Sequence, residues 1–152
     1  MMELVLQRAT EVDGLPDVTA FTKWAEMALA SMGVTVAGEL VVRVVDEMES
    51  AELNQQYRHK SGATNVLSFP FEVPPGVPLE ELPLGDLVVC APVIQREARE
   101  QDKTEGAHWA HMVVHGVLHL LGLDHIDPQQ AVVMEEKEVG ILKQLGISNP
   151  YA

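Results

Sequence analysis

Positive charge is scarce in this chain. Lys and Arg number 10 against 23 Asp and Glu, and the net charge of −13 works against any binding that depends on general attraction to nucleic acid or anionic membrane. A polyanionic partner would have to be recognised locally. Cysteine is nearly missing: Cys90 is the single one, which excludes an internal disulfide and suits a reducing compartment. At the end of an apolar run, that thiol is expected to be a small buried core residue. No apolar run approaches the roughly 20 residues of a membrane-spanning helix, and the opening MMELVLQRATEVDG has early acids and no apolar stretch long enough for a signal peptide. A cytoplasmic protein with no membrane partner is the expectation. Linker-like Ser/Gly tracts, charge blocks and internal repeats are also lacking. With 152 residues, 47% hydrophobic and 22% charged, the chain predicts one globular domain spanning 1–152.

The patterning then gives an order of elements. Residues Glu3 to Arg8 alternate as a short strand, and Asp17 to Met32, after Pro16, place Phe21, Trp24, Ala25, Ala28 and Leu29 on one helical stripe ending at Gly33. The β-branched run from Leu40 to Val45 predicts a central strand, followed by a short helix from Ser50 to Tyr57 with Ser50 as its cap. Asn65 to Phe69 reads as a strand stopped by Pro70, and the proline-dense segment from Glu72 to Pro83 as a surface loop. Leu87 to Cys90 returns as a strand. Helices are predicted from Val93 to Gln101, Glu105 to Leu121 and Pro128 to Leu145, the last with Pro in its first turn and Gly146 beyond its end. Strands early and helices late predict an α+β fold, a small mixed sheet with helices packed mainly on one side.

The most informative segment is His115-Gly-Val-Leu-His119-Leu-Leu-Gly122-Leu-Asp124-His125. Four residues of α-helix turn through about 400°, so His115 and His119 stack on one face. Gly122 stands where a helix end favours left-handed backbone, and the chain can then double back to present His125 from the side. Three neutral imidazoles grip one ion and leave a tetrahedral fourth position open, which is a catalytic arrangement. His108 and His111 extend the polar stripe through an otherwise apolar helix, and burying imidazoles without partners is costly. His111 is expected behind the ligands or facing substrate, His108 partly exposed, and Asp124 in the turn or orienting a ligand ring.

The ligand spacing HxxxHxxGxxH resembles that of the metzincin proteases, with one departure. Their general base is a Glu directly after the first His, and here that position is Gly116. A peptidase or deacetylase reading would need a carboxylate from elsewhere, with Glu135 or Asp86 as candidates. Half of the basic residues fall in two stretches: Arg58 with Lys60, and Arg96 with Arg99 and Lys103. The second set is spaced as one helix face but is flanked by Glu97 and Glu100, which predicts a solvated face laced with ion pairs.

Two segments together, Tyr57-Arg58-His59-Lys60-Ser61-Gly62-Ala63-Thr64-Asn65-Val66-Leu67-Ser68-Phe69-Pro70 and the histidine motif, resemble the YbeY family of bacterial endoribonucleases. The resemblance extends to Leu84 through Cys90 and to Pro150-Tyr151, and covers most of the chain after about Met48. It implies a single α+β domain and one Zn2+ held by His115, His119 and His125. It implies cleavage of single-stranded RNA in 16S rRNA 3′-end maturation and ribosome quality control. The implied partners are the small ribosomal subunit and a ribosomal protein or Era-type GTPase, and Arg58 and His115 become the catalytic residues. The chemistry agrees: zinc activates water near neutral pH and polarises a phosphoryl oxygen, so a Glu base is dispensable, and a guanidinium suits the growing negative charge. Thr64 and Asn65 are expected to shape a turn at the head of the strand, the alternative being to orient phosphate. A non-catalytic alternative, a metal-stapled ribosome-assembly factor, differs in having no open coordination position.

Overall fold

Four Val- and Leu-rich segments pair into one sheet: β1 (Glu3–Ala9), β2 (Glu39–Val45), β3 (Val66–Pro70) and β4 (Gly85–Cys90), in the order β1-β2-β4-β3. The computed structural model describes residues 2–35, 38–72, 75–76, 83–124 and 126–151. Strands β1, β2 and β4 run parallel, while β3 lies antiparallel on β4 with Ser68 opposite Leu87. The apolar run of β2, interrupted only by Arg43, which pairs with Glu49, follows from its place inside the sheet. Leu40, Val42 and Val44 enter the main core, and Val45 enters a smaller cluster with Leu67, Val88, Cys90 and Val93.

Five helices complete the chain: α1 (Val18–Ser31), α2 (Glu47–Arg58), α3 (Ala91–Glu100), α4 (Glu105–Leu120) and α5 (Pro128–Gln144). The Asp17 carboxylate accepts the Ala20 N–H at 2.9 Å and starts α1, whose Phe21, Ala25, Ala28 and Leu29 are buried. Helix α4 is apolar almost all round because it is central. It contacts α1, α3 and α5 as well as β3 and β4. Phe21 meets Trp109 of α4 edge to face at 5.8 Å, and Met134, Ile141 and Leu142 of α5 enter the same core. Leu53 of α2 packs against the smaller cluster. The predicted α+β arrangement with a mixed sheet is what the chain adopts. Among the described residues no helix is long and apolar enough to cross a membrane.

One local expectation is corrected. Helix α2 begins at Glu47 after Asp46, not at Ser50, and its first turn holds Glu47 and Glu49, which suit the positive end of a helix. Ser50 is buried one turn in, where its hydroxyl donates to the Thr64 carbonyl and accepts the Thr64 N–H, both at 3.0 Å. It ties the loop before β3 to the helix. Most of the predicted loop from Glu72 to Pro83 lies outside the described residues.

Candidate active site

Helical spacing does stack the two histidines. The rings of His115 and His119 are 4.6 Å apart, with their Nε2 atoms at 3.1 Å. Two nitrogen ligands of a tetrahedral ion, with bonds of about 2.0–2.1 Å, stand roughly 3.3 Å apart, so this pair fits a shared metal. Gly122 at φ 99° then ends the helix, with the Gly122 N–H on the His119 carbonyl and the Leu123 N–H on the Leu118 carbonyl, both at 3.0 Å. His125 lies outside the described residues. Among the residues that are described, no three His, Cys, Asp or Glu side chains cluster to hold an ion.

Behind the pair stands a carboxylate that the sequence reading passes over. Glu138 of α5, fully buried, accepts a hydrogen bond from His115 Nδ1 through Oε1. Its Oε2 accepts the Tyr151 hydroxyl and, at 3.2 Å, His111 Nε2. Burial alone would raise this carboxyl, but the bonds from His111, His115 and Tyr151 outweigh it and hold it down at about 2. An ionised Glu138 can only accept, so a neutral His115 ring keeps its proton on Nδ1 and turns the Nε2 lone pair toward His119. A carboxylate behind a ligating histidine is the usual support of a metal site. Burial lowers the His111 pKa against the opposing pull of Glu138, and burial, then Glu138, raises that of Tyr151. The signal for Glu138 was present in the sequence: it shares a stripe with Met134, Ile141 and Leu142, an acid on an apolar helix face.

His108 is buried rather than partly exposed, because Glu97 reaches it: His108 Nε2 and Glu97 Oε1 are 2.8 Å apart. The His108 bond, opposed by burial and aided by Asn65, lowers the Glu97 pKa. Asn65 Nδ2 donates to the same carboxylate at 3.2 Å, while Asn65 Oδ1 accepts the Val66 N–H at 2.7 Å. Glu97 is therefore turned inward and does not lace the α3 surface as expected. Arg96 pairs instead with Glu47 of α2 at 3.2 Å.

Gly116 explains how the histidines reach the sheet. A Cβ built there would lie 2.8 Å from Leu87 Cδ2 and 3.2 Å from Val66 Cγ2, both on buried side chains. The Gly116 carbonyl accepts the Ser68 hydroxyl at 3.1 Å. A glutamate at this position would be driven into the core, so the missing peptidase carboxylate is a consequence of close helix-on-sheet packing.

A cleft of about 700 Å³ opens beside β3, lined by Tyr57, Arg58, Lys60, the strand head from Thr64 to Pro70, His115, His119 and Asp124. Arg58 is the last residue of α2, which stops because His59 adopts left-handed backbone at φ 57°. The turn beyond is fastened: the Lys60 N–H reaches the Asn54 carbonyl at 3.3 Å, and Asn54 Nδ2 donates to Gly62 O at 2.9 Å. Two motifs far apart in the chain thus place a guanidinium and two imidazoles in one cleft. Among the described residues neither Glu135 nor Asp86 lines it, nor do Arg96, Arg99 and Lys103. Cys90, the expected buried thiol, closes β4 with its pKa raised by burial.

Comparison with known proteins agrees with this architecture. The family described as Endoribonuclease YbeY matches residues 7–146. A curated Endoribonuclease YbeY of Methylococcus capsulatus is 56% identical over 151 residues, covering 99% of this chain and 96% of that protein. One of Alkalilimnicola ehrlichii is 58% identical over 140 residues, 91% of this chain and 83% of its own. The solution structure of TM1509 from Thermotoga maritima shares the fold, with a TM-score of 0.55 at 24% identity over 96% of this chain and 92% of that one. A family match across nearly the whole chain, joined to relatives above half identity, establishes that the chain belongs to the endoribonuclease YbeY family.

Proposed function

We propose that this chain is a metal-dependent endoribonuclease that cleaves single-stranded RNA, with one Zn2+ held by His115, His119 and His125. The carrying observation is that Arg58, His115 and His119 line one cleft while Glu138 braces His115 from behind. An ion bound there supplies Lewis-acid activation of water and of a phosphoryl oxygen. The protein's own groups do the rest. Glu138 holds the proton on His115 Nδ1 and fixes the ring, and Tyr151 and His111 hold Glu138. Arg58 offers its planar fork of donors to the nonbridging oxygens as negative charge grows, and Lys60 adds a second cation on the same wall.

The peptidase or deacetylase alternative loses support on this geometry. A side chain at position 116 would start into buried Leu87 and Val66 rather than toward water, and Glu138 is buried against Nδ1 rather than exposed to the cleft. The substrate class is small-subunit rRNA, with 16S 3′-end maturation and quality control of the ribosome in the cytoplasm as the setting. An acidic chain gains little from counterion release, so recruitment rests on the small subunit, through a ribosomal protein or Era-type GTPase. The test is to incubate metal-loaded protein and its His115→Ala variant with labelled single-stranded RNA, and to assay metal by elemental analysis. About one equivalent of metal per chain and cleavage lost in the variant are expected. Undiminished cleavage by His115→Ala, or undiminished metal in His115→Ala/His119→Ala, would refute it.

A further inference from the structure

Aromatic side chains are few, three Phe, two Trp and two Tyr, and several have internal tasks. Phe21, Trp24 and Trp109 pack edge to face between α1 and α4, and Tyr151 bonds Glu138 behind the histidines. Two of the other three line the cleft. These are Tyr57 and Phe69, their rings 5.1 Å apart and inclined at 75°. Tyr57 remains 57% exposed although Phe69 fixes the attitude of its ring, and it adjoins Arg58. A single exposed Tyr is ordinary. A ring held in place beside a guanidinium, in a cleft suited to phosphate, is a ready surface for a flat ligand.

We infer that Tyr57 is a nucleobase-stacking residue, its ring receiving the base of a nucleotide adjacent to the phosphate that faces Arg58. The inference rests on the endoribonuclease reading and adds to it where the substrate's base binds. It also meets the difficulty posed by the net charge. With so few cations, affinity for RNA must come from a source that salt does not screen, and stacking on an aromatic ring is such a source, tolerant of sequence because every base has a π-face. It favours single strands as well, since bases in a duplex are already stacked on one another. Selectivity for unpaired RNA then resides partly in Tyr57.

The experiment measures kcat and KM for cleavage of a short oligoribonucleotide, and for the same oligonucleotide with one abasic residue stepped along it. The proteins are the metal-loaded wild type and its Tyr57→Ala, Tyr57→Leu and Tyr57→Phe variants. Tyr57→Ala and Tyr57→Leu should raise KM by about 5- to 150-fold, the range for losing one stacked base, with kcat far less affected. Tyr57→Phe, which keeps the ring, should stay near wild type. In the wild type one abasic position should cause a similar loss, and at that position Tyr57→Ala should add nothing further. Unchanged KM in Tyr57→Ala overturns the inference while leaving the ribonuclease reading intact. So does a loss that is the same on every abasic substrate, or a Tyr57→Leu protein that behaves as wild type by keeping only the apolar contact with Phe69. A wild-type protein that cleaves no RNA removes the parent reading and this one together.

Discussion

Replacing Glu138 by Gln tests the support of the histidine pair with almost no change in volume. The carboxylate receives three donors, His115 Nδ1, Tyr151 OH and His111 Nε2, on two oxygens. Glutamine has one carbonyl oxygen, and its amide must then face donors. If the oxygen stays on His115, the Tyr151 hydroxyl can rotate to accept from the amide, and His111 either turns its Nε2 proton to that hydroxyl, 3.1 Å away, or moves it to Nδ1. That atom is buried with no partner among the described residues. An unsatisfied buried polar group costs about 1–3 kcal/mol, which for a domain of this size lowers Tm by roughly 2–4 °C per kcal/mol. If the oxygen turns away, His115 loses its anchor. Loss of such a partner behind a metal ligand typically weakens metal binding by about 10–100-fold. Chelator competition with zinc on wild type and Glu138→Gln, with thermal unfolding of both apo proteins, separates the two costs. Metal affinity unchanged within twofold in a folded Glu138→Gln protein would refute the role given to this carboxylate.

Other expectations follow from the same geometry. Gly116→Ala should gain about 1 kcal/mol of helix propensity and lose about 1–3 kcal/mol to overpacking against Leu87 and Val66, for a small net drop in Tm. Its larger effect should be on cleavage, since displacement of α4 moves both histidines, and a clear rise in Tm would contradict the packing argument. Arg58→Ala should keep the fold and metal content but lose RNA cleavage, with Arg58→Lys restoring it only in part; full activity in Arg58→Ala would make Arg58 a surface cation. The folded-state pKa of Glu97 is depressed, so its contribution to stability is present above the ordinary value of 4.5 and is lost as pH falls through the folded value. Denaturant titrations between pH 3 and 7 should therefore show a shallower acid decline in Glu97→Gln, and identical slopes would contradict the assignment. Binding to naked RNA should show a shallow salt dependence; a slope typical of about 6–10 phosphate contacts would instead mean that Arg96, Arg99 and Lys103 form an RNA track.

Much of this protein is written locally in its chain. The i, i+4 spacing of His115 and His119 needs only helical geometry to become a stacked pair, and Gly122 needs only its own backbone freedom to end the helix. Strand β2 and helices α1, α4 and α5 are similarly legible, because periodicity and capping residues act over one or two turns. The burial of Cys90 followed from its place at the end of an apolar run. Ser50 reads locally as a cap, while its partner, Thr64, comes from the next loop. His108 and Glu97 both read as surface groups, since nothing near either residue announces the other.

What tertiary structure decided is which distant groups meet. Glu138 reaches His115 only because α5 packs on α4, and Arg58 lines the same cleft as the histidines beside β3, where Asn54 and Ser50 fasten the turn that follows it. Gly116 reads in the sequence as a missing base, and only the fold shows that Leu87 fills the space a side chain would need. Local spacing fixes angles along one element. The pairing of buried polar groups across elements is set by packing, where an unpaired carboxylate or imidazole costs too much to remain.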